Sequence, residues 1–437
     1  MNRPNPGQPP AVPSVPPARE GWITQERSYE LITPLFGGGV EPGVADPVTV
    51  VRGTEVRGQL RFWWRACRGA RYGGSLTEMK AAEDLLWGAA STKKNPRPSR
   101  VQIAVEVLKK GQRFVARDRQ DKPVVNIGAP RSVWSYGAFP LNDKPDAYVT
   151  EGIAFVLTIT YRQEDAADVA AALWAWETFG GVGGRTRRGF GALYCKSVND
   201  VPNTDLPPAD AAGAERWIRA KLQAHVARSA AGASKWPSDL PHLDPNMKLR
   251  LTAPRAALDV WSDLLDRLKN FRQQRPTTYE GGKPHVGRNR WPEPDALRGK
   301  FGASLRHKDR ISEINKFPRA AFGLPISFEF KRDDQSAGDP RGKNTLVGRD
   351  GKKEYERLAS PLILRPLACG DSKAIGLALL LEGTRLPPQL VFSDSKNLMV
   401  DAKLSVQEAA QIMSKDDRTP LLGNETNVLL AFLDTLK

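Results

Sequence analysis

GGVGGRTRRGFG, residues 180–191, closes one candidate helix and opens one candidate strand, and the fold reads outward from it. Upstream, Ala166–Phe179 is continuously helix-forming, and downstream Phe190–Val198 has strand character. Further back, Ile153, Phe155, Leu157 and Ile159 alternate with polar residues, as do Val101, Ile103, Val105 and Val107. Period-two alternation of this kind predicts half-buried strands. A polar excursion rich in turn residues, 111–150, separates the two. Before them come a short helix over about Glu78–Ala89 and a longer one from Thr54, as N-cap, to about Tyr72, with Glu55 in its first turn. TQERSYELIT (24–33) opens the series as a strand, with Tyr29 and Leu31 on one face and Glu26, Ser28 and Glu30 on the other. A loop, Pro34–Pro47, follows it.

Setting aside the short extra helix, the order is β-α-β-β-α-β, the split βαβ arrangement. At 437 residues the chain exceeds one comfortable core, and its 40% hydrophobic content suffices for two. A second unit begins at Lys248–Thr252 and the helix Ala256–Phe271, whose apolar side carries Leu258, Trp261, Leu264, Leu265 and Leu268. Strands at Ile326–Phe330, Leu358–Pro366 and Ile375–Leu381 follow a basic, irregular stretch from Arg272 to Arg319. The expected fold class is α+β, with two ferredoxin-like (RRM-like, βαββαβ) domains carrying insertions. The expected division is a disordered proline-rich start (1–20), a first domain (21–200), a linker or inserted helical segment with a helix near Ala214–Ser229 (201–246), and a second domain (247–437). The start carries seven prolines in its first 18 residues and too little apolar surface to offset ordering entropy.

The formal net charge is +16, which favours an acidic partner. No run of 18 apolar residues exists, and prolines follow Met1–Arg3 where a signal core would stand, so membrane insertion and secretion are not expected. Three scattered cysteines, Cys67, Cys195 and Cys369, suit a reducing cytoplasm. His225, His242, His285 and His307 lack metal-site spacing, and no cofactor is expected.

The charge is clustered. Residues 52–71 hold six arginines against one acid, Glu55, and residues 185–196 hold three arginines and a lysine against none. On the first helix Val56, Leu60, Trp63, Trp64 and Cys67 share an arc of roughly 100°. Arg57, Arg61, Arg65 and Arg68 share an adjoining arc of roughly 80°. That arc carries no acids for i,i+4 pairing, which suggests a face for phosphates. The two tryptophans fall in or near the apolar arc and are expected in the core. In the loop, four glycines beyond Gly180 and Gly181 and the interleaved Arg185, Arg187 and Arg188 suit close approach of a polyanion to main-chain N–H groups. The loop is neither a GxxxxGK[ST] motif nor a dinucleotide fingerprint, since it ends a helix and enters a strand.

A helix ending in GGVGGRTRRGFG resembles the glycine-rich loop that marks RAMP proteins. TPLFGGG (33–39) followed by RGTEVRGQLRFWWRA (52–66) resembles, more narrowly, the first RAMP subunit of type III-B CRISPR (Cmr) effector complexes. GRNRWPEPDALR (287–298), FPRAAFGLP (317–325) and LASPLILRP (358–366) are similar to that family's later blocks. The resemblance spans about residues 20–370. It implies two ferredoxin-like domains and an RNA-binding structural subunit in antiviral defence. Such a subunit would contact the 3′ region of the guide RNA and the paired target RNA, beside other RAMP subunits. Together with the charge clusters it implies RNA contacts at Arg52, Arg57, Arg61, Arg65, Arg68, Gly181, Gly183, Gly184, Arg185, Thr186, Arg187, Arg188, Arg288, Arg290, Arg298 and Arg319. Three rivals stand beside it. One is a RAMP endoribonuclease using His285 or His307, although no histidine precedes residue 225. Another uses Asp46 as a metal-binding acid that cleaves target RNA. The third is a basic scaffold for acidic protein partners.

Overall fold

A computed structural model of the chain describes residues 20–39, 46, 48–90, 97–144, 147–226, 235–300, 311–330, 340, 342–355, 357–370, 373–393 and 395–436. The predicted disordered start therefore lies outside the described residues, apart from Glu20.

The first half builds β1 (Trp22–Leu31), α1 (Gly53–Arg68), α2 (Leu76–Trp87), β2 (Gln102–Arg113), α3 (Ser135–Ala138), β3 (Thr150–Arg162), α4 (Ala166–Phe179), β4 (Leu193–Val198) and β5 (Val201–Pro202). These strands form one antiparallel sheet in the order β2-β3-β1-β4-β5. Tyr29 on β1 faces Phe155 of β3 on one side and Cys195 of β4 on the other. Crossovers through α1 and α4 place both helices against this sheet, with Tyr29, Phe155, Trp63, Trp64 and Trp176 in one core.

Local chemistry moves several boundaries. The first helix starts two residues earlier than expected, with Arg52 at its N-cap and no side-chain cap, so Thr54 lies inside the first turn. Ser75 caps α2 by accepting the Glu78 N–H. The excursion expected to be polar and irregular extends β2 to Arg113 and then builds a small core of its own. There Phe114, Trp134 and Leu141 meet Phe190, Trp261 and Leu265.

A helix apolar on every side belongs inside a protein. α4 is such a helix, with Val169, Ala172, Leu173, Trp176 and Phe179 all buried. The second half supplies its other cover. α5 (Ala211–His225) leads to β6 (Leu249–Leu251), β7 (Arg255–Ala256) and α6 (Ala257–Gln273). β8 (Thr277–Glu280) and β9 (Lys283–Val286) form a hairpin, and α7 (Glu293–Lys300) follows. These two elements stand in the stretch expected to be irregular. β13 (Leu362–Ala368), β14 (Lys373–Leu380) and β6 form a sheet in that order, with β7 also on β14. Ile363 and Leu367 of β13 and Leu377 and Leu379 of β14 join the first core. Leu362, Leu364, Ala378 and Leu380 turn the other way, onto Val260, Leu264 and Leu268 of α6 and Phe432 of the helix Val428–Asp434.

The strand at 326–330 is not part of that sheet, as a single second domain would require. β10 (Ile326–Glu329), β11 (Lys343–Asp350), β15 (Gln389–Phe392) and β16 (Ser395–Val400) form a separate antiparallel sheet, and β12 (Lys353–Tyr355) pairs with β11. The whole is α+β with several antiparallel sheets.

Candidate nucleic-acid interface

The arginine ladder of α1 turns inward, because α2 supplies the acids that α1 lacks. Arg61 Nε lies 2.7 Å from Glu83 Oε1 and its Nη2 3.6 Å from Asp84. Arg65 ends on the same Glu83 oxygen, and Glu83 is only 2% exposed. Arg57 donates to Ser99 Oγ at 2.6 Å and to the carbonyls of Val101 and Trp87. Arg68, 5% exposed, pairs with Asp168 at 3.0 Å and donates to Ala167 O. Arg52 donates to Gly38 O. The ladder thus clamps α2 and neighbouring loops onto α1, and its acid-free arc is not a bare phosphate face.

The glycine loop makes its close approach to its own chain. The Gly183 N–H donates to the Glu55 carboxylate and the Gly184 N–H to Phe36 O at 2.6 Å. The Val182 N–H reaches Gly191 O, the Gly191 N–H reaches Pro34 O, and Gly181 O accepts from Trp176 Nε1 at 2.9 Å. Gly183 sits at φ +79°, where a Cβ would meet Leu35 Cδ1 at 2.5 Å and Phe36 O at 2.9 Å. Glycine is therefore required there by the β1–α1 loop folded against it.

Two of the three arginines of this loop, Arg187 and Arg188, reach across to the second half. Arg187 donates to Ser360 O and lies over the Phe62 ring, with 5.6 Å to its centroid. Arg188 donates to Leu362 O at 2.8 Å, and its own carbonyl accepts from Trp261 Nε1 at 2.7 Å. Arg185, in left-handed backbone geometry, donates to Gly137 O and covers Phe139 at 5.0 Å. Thr186 opens the tight turn, its carbonyl accepting from the Gly189 N–H. Two further arginines that sequence reasoning missed complete the cluster. Arg272, at the end of α6, lies over Tyr136 and Phe322, with its Nε buried and unbonded. Arg365 of β13 is fully buried, donates to Gly180 O and Pro366 O, and leaves Nη2 without a partner.

Among the described residues none of these five arginines has a carboxylate within ion-pair distance. Burial pushes Arg185 down to about 10. Burial, then Arg272 and Arg185, push Arg188 down to about 9, and burial takes Arg365 to about 9. These three keep their proton at neutral pH. A guanidinium offers five donors, and a few carbonyls neutralise no charge. An anion would supply the missing countercharge. Phe139, 63% exposed, stands beside this cluster as a ring on which a base can stack.

The second-half arginines are largely paired. Arg288 and Arg298 share Asp295 at 2.6 and 3.0 Å, Arg290 chelates Asp417, and Arg319 pairs with Glu293 at 3.1 Å. Arg288, Arg298 and Arg319 line a pocket of about 310 Å³ together with Arg275. Asp46 accepts the N–H groups of Val48 and Thr49 at 2.8 Å each, and these bonds, Thr49 first, hold its carboxyl below the usual range. It serves as a turn residue. No metal-ligating group of three or more His, Cys, Asp or Glu occurs among the described residues. His225 stacks on Trp174, His242 on Trp236, His285 lies on the exposed β9, and His307 is outside the described residues.

The missed arginines had faint signals. Arg272 opens the stretch singled out as basic, and Arg365 is the lone charge inside LASPLILRP.

Residues 28–194 match the family model of the RAMP superfamily. CRISPR system Cmr subunit Cmr1-1 of Pyrococcus furiosus is 30% identical over 158 residues, 36% of this chain and 44% of that protein. The chain thus spans less than half the length of that relative. Cmr1-2 of the same organism is 28% identical over 193 residues, 39% of this chain and 95% of the relative. Among solved structures, the crystal structure of apo Cmr1 from Pyrococcus furiosus is 17% identical with a TM-score of 0.46, covering 85% of this chain and 94% of that one. A chain in a cryo-EM structure of the type III-B Cmr-beta complex bound to cognate target RNA is 12% identical with a TM-score of 0.44, covering 95% and 100%.

Proposed function

We propose that the chain is a RAMP-superfamily protein, a reading supported by the match over residues 28–194, and that it is an RNA-binding, non-catalytic subunit of a type III-B CRISPR effector complex. In this reading it works in the cytoplasm, beside other RAMP subunits, and holds the 3′ region of the guide RNA and its paired target. The curated relatives, both Cmr subunits, support the assembly. The first sheet's antiparallel order β2-β3-β1-β4, with helical crossovers, supports a ferredoxin-like first domain, and β6, α6, β13 and β14 support a shorter copy in the second. Asp46, held in a turn by the N–H groups of Val48 and Thr49, supports a binding role over metal-dependent cleavage by that residue.

One observation carries the reading: the cluster of five acid-free arginines where the two halves meet. The RNA backbone runs there, over Arg185, Arg187, Arg188 and Arg272, with Arg275, Arg288, Arg298 and Arg319 extending the basic track. The open face of the first sheet is a poorer platform. Its central strands present Thr24, Glu26, Ser28, Thr158 and Thr160, where an RRM would offer stacking aromatics.

Binding of single-stranded RNA, measured between about 50 and 200 mM salt, tests the assignment, because each phosphate contact steepens the log–log slope by roughly one. Arg185→Ala with Arg272→Ala should flatten the slope by about two in a protein that still melts cooperatively. An unchanged slope removes RNA from this site.

A further inference from the structure

A second cavity, of about 230 Å³, lies on the far side of α4, between α4, α5 and the inner face of the first sheet. Strand alternation puts Ile23, Gln25, Arg27, Tyr29 and Leu31 on the inward face of β1. Two of these five are polar, at positions where a packed core would be apolar. Gln25 and Arg27 line the cavity, opposite Asp205 and Lys221.

The lining is charged yet balanced. Arg27 pairs with Glu177 at 3.0 Å, and Glu177 also accepts from Tyr29 at 2.5 Å. Lys221 pairs with Asp205, which accepts in turn from Trp217 Nε1. His225 stacks on Trp174 at 5.1 Å and 25°, and burial, then Lys221 and Arg68, push it down to about 4, so it is neutral at pH 7. The net charge of the lining is therefore zero, in contrast to the arginine cluster between the halves, and an anion gains nothing by entering. What the cavity offers is aromatic surface from Trp174, Trp217, Tyr161 and Tyr194, and hydrogen-bonding groups. The Gln25 amide N–H₂ has no protein partner among the described residues. Its size decides the rest. Drug-sized ligands take about 300–1,000 Å³, and an ordered water about 30 Å³. This space suits one ring system without its phosphates.

We propose that this cavity binds a single uncharged planar heterocycle, a nucleobase, stacked against the α4–α5 aromatics and hydrogen-bonded by Gln25. The base comes either from a free nucleoside or from an unpaired residue of bound RNA. Only the second source rests on the RNA-binding reading.

The test titrates the full chain with uridine and with adenosine, followed by tryptophan fluorescence, with inorganic phosphate as competitor. Ala170, exposed on α4 at the cavity, tolerates a larger side chain without touching the core. Ala170→Phe should weaken nucleoside binding by about tenfold or more, as expected when a stacked base is excluded. Gln25→Leu should weaken it too, while phosphate should not compete. Absence of saturable nucleoside binding in folded wild-type protein overturns the proposal, and so does equal binding by both variants. A single-stranded RNA and an abasic backbone of equal length separate the sources. If Ala170→Phe weakens the RNA with bases as well as the nucleosides, and leaves the abasic backbone unchanged, the base belongs to bound RNA. If it weakens nucleosides alone, the ligand is free. Should RNA fail to bind at all while nucleosides bind, the arginine cluster loses its assignment and the cavity keeps its own.

Discussion

Glu83 accepts from both Arg61 and Arg65 while almost fully buried, so the two guanidinium groups stabilise a charge that could not otherwise leave water. Both arginines lie off the apolar arc of α1, a placement that by itself would make them removable with little effect on stability. That arc was legible, and Trp63 and Trp64 are in the core where it put them. Their neighbours' partners were not legible, because Glu83 lies 22 residues beyond Arg61 on another helix, outside any i,i+4 rule. Arg61→Ala with Arg65→Ala should therefore destabilise the protein by on the order of 2–4 kcal/mol, somewhat below the usual loss for a fully buried broken pair, since both arginines keep about a quarter of their side chains in water. Adding Glu83→Gln should recover much of that loss in a thermal melt. Unchanged melting of the double variant would restore the phosphate-facing role to the ladder.

The glycine loop shows how far an element can be read without its surroundings. Its composition announced a close backbone approach, and the approach exists, but the visiting backbone is Leu35–Phe36 of the same chain. Sequence alone has no means of distinguishing an internal visitor from an external one. Gly183→Val should accordingly lower the melting temperature with no RNA present, because the Cβ meets Leu35 and Phe36 and the backbone stands at φ +79°. A variant that melts like wild type and loses only RNA would return the loop to the ligand. The α4 boundaries were fully legible, set by Gly180 at one end and the acidic turn at the other. What packs on its outer side was not. His225, the last residue of α5, stacks on Trp174 of α4 and is held neutral down to about pH 4. An unfolded histidine takes its proton near 6.5, so the unfolded state binds more protons between those values, and stability contributed here falls as pH drops from about 6.5 to 4. Glu55 and Glu382, raised by burial, act in the opposite sense. The comparison that isolates the histidine is His225→Gln, whose melting temperature should decline less than wild type over that interval.

At the scale of the molecule, composition and length argued for two cores, and strand order argued for where the first ends. The helix-to-strand order of residues 22–198 could be read because each element has its own period. The 326–330 strand could not be assigned to a sheet, since its partner Lys343–Asp350 is itself fixed by a strand as distant as Gln389–Phe392. Nor does the first core end near residue 200. Trp64, Trp176 and Phe179 share it with Leu249, Ile363, Leu367, Leu377 and Leu379. The joint is polar as well as apolar, with Arg187, Arg188 and Arg365 each bonded to a carbonyl of the opposite half. A segment covering residues 21–200 alone would leave the outer face of α4 in water and Arg187 and Arg188 without their carbonyl partners across the joint. Each buried aliphatic side chain so exposed forfeits about 1.5–3 kcal/mol, and four or five of them exceed most of the stability of a typical domain. That fragment should therefore lack a cooperative thermal transition and bind hydrophobic dye, whereas the full chain should melt in one step. Co-expression with residues 201–437 should restore the single transition. A fragment that melts sharply on its own would mean that α4 closes its core without β13 and β14. The arginine cluster would then be the seam between two independent domains, no longer part of one folding unit.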